Sequence, residues 1–116
     1  MKVENINDIE ETVVTMAGAK DAKMRQLISE KDGAENFAMR MFTVAPGGYT
    51  PFHFHNYEHE VFVLEGEGVL KGEEKERAFK AGDVIFIKPN EKHQFVNAGA
   101  MAMKFLCLIP SLEKCG

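Results

Sequence analysis

Turn-forming residues interrupt this chain so often that no stretch reads as a long helix. What lies between them is short, apolar and rich in β-branched and aromatic residues. The interruptions carry Gly, Pro, Asn or Asp: Asp32-Gly33, Pro46-Gly47-Gly48, Glu65-Gly66-Glu67-Gly68, Ala81-Gly82-Asp83, Pro89-Asn90 and Asn97-Ala98-Gly99. They delimit candidate strands at Thr12–Met16, Met24–Ser29, Phe37–Ala45, Thr50–His55, His59–Leu64, Val69–Gly72, Arg77–Phe79, Val84–Lys88, His93–Asn97 and Ala102–Ile109. Short strands at this density predict an all-β sandwich or barrel. The 116 residues suffice for one domain with its own core, and no linker, low-complexity tract or internal repeat divides them. Lys71 to Lys80 alternates in charge and reads as a solvated hairpin.

The four histidines fall in two short clusters, His53/His55/His59 and His93. Imidazole is the commonest nitrogen ligand for transition metals and binds in its neutral form. Alternation along a strand puts His53 and His55 on one face, about 6.7 Å apart, close enough to lean onto one cation. His59 follows across the polar stretch Asn56-Tyr57-Glu58 and leads into the apolar run Val61-Phe62-Val63-Leu64. Three ligands would then come from the end of one strand and the start of the next, with His93 from a strand elsewhere. Ordinary surface histidines on a loop would explain one His-x-His pair, but they explain the whole set less well. Since imidazoles bind metal when neutral, protons are expected to compete below about pH 6.5.

A net charge of −4 argues against nucleic acid or an anionic membrane as the main partner. Met1 to Ile6 lacks the apolar core of a signal peptide, and no apolar run is long enough to span a bilayer. Cys107 and Cys115 do not suggest a disulfide framework, so a reduced, cytoplasmic protein is expected. Strands here are apolar on both faces. If His53 and His55 face inward, Phe52 and Phe54 face outward; if His59, Val61 and Val63 face inward, Phe62 and Leu64 face outward. Covering such side chains recovers about 1.5–3 kcal/mol each, which predicts a homodimer.

Two motifs now resemble a known family. Gly47-x5-His53-x-His55-x3-His59-x6-Gly66 resembles the first cupin motif, which usually reads Gly-x5-His-x-His-x3,4-Glu-x6-Gly. Gly82-x5-Lys88-x-Asn90-x2-His93-x3-Asn97 resembles the second, usually Gly-x5-Pro-x-Gly-x2-His-x3-Asn. Fifteen residues separate Gly66 from Gly82, a spacer like those of small microbial cupins. The resemblance implies a single cupin domain over residues 1–116, with its motifs at 47–66 and 82–97. The implied fold is a double-stranded β-helix, or jelly roll, holding metal inside one mouth. The position usually held by glutamate is occupied by His59 or by Glu60. Counting back from Gly66 favours His59 and leaves Glu60 as the fallback, because adjacent strand residues face opposite ways. Lys88 and Asn90 replace the usual Pro and Gly, and Asn tolerates the left-handed turn conformation.

The four-histidine set is similar to that of small manganese-binding cupins of thermophilic bacteria. The likeness extends through Asn36-Phe37, Pro46-Gly47-Gly48, Glu58-His59-Glu60, Pro89-Asn90-Glu91 and the ending Phe105-Leu106-Cys107-Leu108-Ile109-Pro110. It implies one divalent transition metal, Mn or Fe, while imidazole chemistry alone also suits Zn, Ni and Cu. Four neutral ligands would leave two positions of a six-coordinate ion open. An oxygen- or peroxide-utilising oxidoreductase acting on a small apolar or aromatic molecule is therefore expected. A non-enzymatic ligand-binding or sensor module is the alternative, as is a metal-assisted isomerase of a sugar or keto acid. The isomerase needs an acid or base and has only Glu58, Glu60 or Tyr57 to offer.

Pocket residues follow from the same alternation. Phe95 shares a face with His93. With Lys104 in solvent, Met103, Phe105, Cys107 and Ile109 turn inward. Cys107 reads as a small buried hydrophobe, or as an oxidisable thiol near the metal. Tyr57 could line the mouth, although a surface position is the plainer reading for a loop tyrosine. Arg40, the one cation of Phe37–Ala45, reads first as solvent-facing and second as an anion or peroxide contact.

Overall fold

A computed structural model describes residues 1–111. Nine strands run in chain order: β1 Glu11–Val13, β2 Lys20–Ile28, β3 Phe37–Tyr49, β4 His59–Glu65, β5 Glu67–Lys71, β6 Glu76–Lys80, β7 Val84–Ile87, β8 Gln94–Val96 and β9 Met103–Pro110. Two single 3-10 turns, Ile6–Asp8 and Glu30–Asp32, complete the regular structure, and there is no α-helix among the described residues. All pairings are antiparallel, in the order β6-β5-β8-β3-β9-β4-β7, with β2 paired to β3 and β1 paired to β2. The all-β class and the curled jelly-roll sheet are as the sequence predicts. Cys115 lies outside the described residues, and Cys107 is a free, buried thiol.

Alternation decides what the sheet encloses. Met103, Phe105, Cys107 and Ile109 are buried on β9, and His59, Val61 and Val63 on β4. Phe105 stacks on Phe95 at 4.4 Å between ring centroids and on Phe42 at 5.3 Å. This aromatic layer fills the barrel beneath the histidines. Phe52, Phe54, Phe62 and Leu64 are exposed, so the inside–outside assignment of both runs holds.

Several boundaries differ from the sequence reading: β2 begins at Lys20 rather than Met24, β1 ends at Val13 rather than Met16, and two further differences shape the site. Pro46-Gly47-Gly48 does not end β3, which continues to Tyr49 with a register shift against β2. Gly47 takes a φ of 81°, and a Cβ on Gly48 would lie 2.6 Å from the Lys20 carbonyl oxygen. Glycine thus lets the strand bulge and pass close to its neighbour. Conversely, Thr50–His55 is not a strand. Its one ladder contact is an isolated bridge between His53 and His93. Pro51 has no N–H to give a ladder, and the segment runs as an extended loop across the barrel mouth.

Candidate functional site

That loop is fixed by backbone bonds to the second motif. His53 N–H donates to the His93 carbonyl at 3.2 Å, and His93 N–H donates back to the His53 carbonyl at 2.9 Å. Asn90 N–H donates to the His55 carbonyl at 2.6 Å. Asn90 holds a φ of 67°, the left-handed turn that asparagine tolerates. His59 enters from the first position of β4, on the face of Val61 and Val63. His93 enters just before β8, on the face of Phe95.

The rings converge. His53 lies 4.3 Å from His55 and 5.1 Å from His93 between centroids, and His59 lies 5.0 Å from both His55 and His93. Ligand atoms of His53, His55 and His93 all fall within 4.8 Å of one another, a cluster that could hold a metal ion. His59 adjoins this trio without sharing that distance. Its Nδ1 sits 3.1 Å from Cys107 Sγ, while its buried Nε2 has no hydrogen-bond partner among the described residues. His93 Nδ1 is 2.8 Å from the Glu91 carbonyl, which can only accept, so Nδ1 carries the proton and Nε2 keeps its lone pair. An orphaned buried nitrogen and a tautomer fixed from behind suit a metal-ligating set.

Electrostatics keep these rings neutral. Burial, then the charges of His55, His93 and Arg40, pushes His53 from 6.5 to about 4. Burial, then His93 and Arg40, pushes His59 down to about 3. His55 is lowered by burial and by His93 and Arg40. Burial also lowers His93, opposed by its bond to the Glu91 carbonyl.

The rings open on a cavity of about 360 Å³. Arg40, Tyr57, Phe95, Phe105 and Cys107 all stand on its wall. Tyr57 is half-buried and stacks on His55, with centroids 4.8 Å apart and planes 7° from parallel. Arg40 does not face solvent as first read. The alternation that buries Val44 carries Arg40 and Phe42 to the same inner face of β3. Ile109 is buried in the core, but it borders a separate hollow together with Glu58 and Glu60. Glu60 is exposed there, on the face of β4 opposite His59. The sequence reading missed Thr12 to Met16 and Met24, which close one side of the cavity; no motif marks them. No carboxylate lines the cavity among the described residues.

The profile of the cupin domain matches residues 40–109, which include both histidine clusters. The chain belongs to the cupin family. This cupin is 36% identical over 104 residues to an oxalate-binding protein of Thermotoga maritima, covering 85% of this chain and 84% of that relative. The polyketide cyclase RemF from Streptomyces resistomycificus superposes with a TM-score of 0.90 at 38% identity, over 95% of this cupin and 79% of that chain. A predicted oxalate decarboxylase of Thermotoga maritima superposes at 0.85 with 28% identity, over 96% of this cupin and 100% of that chain.

Proposed function

We propose that this cupin holds one divalent transition metal on His53, His55, His59 and His93 and acts on a small, largely apolar or aromatic molecule in the adjoining cavity. The observation that carries this reading is the convergence of four neutral imidazoles on a cavity whose wall carries no carboxylate among the described residues. His59 is preferred to Glu60 because its orphaned Nε2 lies on the cavity side of β4. Bound there, the ion supplies Lewis acidity and, as Mn or Fe, redox chemistry. Resemblance favours Mn or Fe, and the imidazole set also accommodates Zn, Ni or Cu. The reaction class we favour is oxidation of the ligand by oxygen or peroxide. The protein's own share is an apolar chamber of Phe42, Phe95 and Phe105 that excludes water, with Tyr57 stacked at its edge.

Elemental analysis after purification without added metal tests the site, and oxygen or peroxide consumption with simple aromatic alkenes or diols tests the reaction. Protein that takes up no transition metal at micromolar concentration would sink the reading. Metal-loaded but inert protein would favour the second reading, a ligand-binding module, which the Thermotoga oxalate-binding relative supports. Isomerisation ranks below both, because Glu58 and Glu60 border another hollow and leave Tyr57 alone of the three on this wall. Phe62, Leu64, Val84 and Phe86 are exposed on the outer face of β4 and β7, which supports a homodimer built across it.

A further inference from the structure

Arg40 is the unresolved charge of this molecule. A guanidinium is a permanent cation with five N–H donors. Among the described residues, one of those donors meets a side-chain acceptor, Nη2 to Cys107 Sγ at 3.3 Å, and sulfur is a weak acceptor. Nε is buried without a hydrogen-bond partner. No carboxylate pairs with Arg40 among the described residues, although five other ion pairs form. Its Cζ sits 5.0 Å over the Phe42 ring, which offsets part of the cost of desolvation without neutralising the charge. Arg40 stands on the same cavity wall as His53, His55, His59 and His93, which locates its charge beside the cluster.

A half-buried cation held against an apolar wall, with donors to spare and no anionic partner among the described residues, is costly unless something brings the missing anion. We infer that the cavity's ligand carries an anionic oxygen, a carboxylate, enolate or phenolate, which pairs with the Arg40 guanidinium while its apolar body packs on Phe42, Phe95 and Phe105. This deepens the reading above and rests on the same cavity, but it does not require the metal. Cys107 and Phe42 act as positioning residues, holding the guanidinium so that its unused donors face the ligand. At about 360 Å³ the cavity sits at the small end of ligand sites, which suits a single substituted ring.

Benzoate is the probe, with benzamide and benzyl alcohol as its neutral counterparts, measured by calorimetry on metal-free and on manganese-loaded protein. The metal-free wild type is expected to bind benzoate at least about tenfold tighter than either neutral compound. Arg40→Met should erase that preference and leave metal content unchanged, and Arg40→Lys should restore part of it. Nuclear magnetic resonance of the wild type guards against a variant that fails to fold: the Arg40 Nε–H signal should shift with benzoate and stay in place with benzamide. Equal affinity for all three compounds, or benzoate binding that leaves the Arg40 signal still, overturns the inference. Anion preference in protein that binds no metal would sink the metal reading alone. Metal uptake without anion preference would sink this one alone.

Discussion

His59 Nδ1 and Cys107 Sγ face each other at 3.1 Å across the registered strands β4 and β9. When the imidazole donates its Nδ1 proton to sulfur, Nε2 keeps a free lone pair toward the cavity; the opposite tautomer would block it. Cys107→Ala should therefore weaken metal binding about 10- to 100-fold, the usual effect of losing a group that orients a ligand. Cys107→Ser, which retains an acceptor, should recover most of it. Competition with a chelator measures both, and unchanged affinity in the alanine variant would assign Cys107 to packing alone.

The neighbours on β4 should behave oppositely. His59 is buried on the cavity side and Glu60 is exposed on the other. His59→Ala is expected to lower metal affinity by at least about tenfold, and Glu60→Ala to leave it within about twofold. Equilibrium dialysis with manganese separates the two, and the reverse order would make Glu60 the ligand.

Acid should release metal later than free histidine would suggest. The folded rings of His53 and His59 resist protonation until about pH 4 and about pH 3, whereas an unfolded chain takes up those protons near 6.5. Between these values the unfolded state binds more protons, so the stability these groups contribute is complete above about 6.5. It is lost as pH falls toward 4 and 3. Urea denaturation of the metal-free protein should show falling stability from pH 7 to pH 4. Metal content after dialysis should persist at pH 5.5 and fall toward pH 4. Complete loss by pH 6 would show that these rings titrate as exposed histidines do.

Asn97, the last residue of the second motif, holds the barrel wall rather than the metal. Its side-chain amide donates to the Val44 carbonyl at 2.9 Å and to the Met101 carbonyl at 2.8 Å, and its oxygen accepts from Gly99 N–H at 2.9 Å. With the residue only 2% exposed, Asn97→Ala leaves these groups short of partners and should cost about 2–4 kcal/mol. Denaturant midpoints would register this, and a loss below about 1 kcal/mol would mean that water replaces the amide.

Phe62 and Val84 are cross-strand partners on the exposed face of β4 and β7, with Phe86 two pairs along opposite Glu60. Sedimentation at micromolar concentration should give a dimer, and Phe86→Glu should shift it toward monomer. A wild-type monomer would mean that this face meets water.

Local sequence was enough for much of this protein. Glycine, proline and asparagine spacing marked most strand ends, and period-two alternation gave the inner faces of β4 and β9. The histidine spacing singled out the rings that converge, because the residues that set their direction are sequence neighbours. Tertiary structure decided the rest. Thr50–His55 has strand-like composition, yet its backbone bonds are few, to Phe95 of β8 and to His93 and Asn90 before it. The inward turn of Arg40 needed β3 registered against β9, which brings Cys107 opposite Arg40. Likewise, Thr12 to Met16 reach the cavity because β1 pairs with β2, the strand that lies between it and β3. A side chain's face is a property of its own few residues. What it meets there depends on strands far along the chain, and only the closed barrel brings them together.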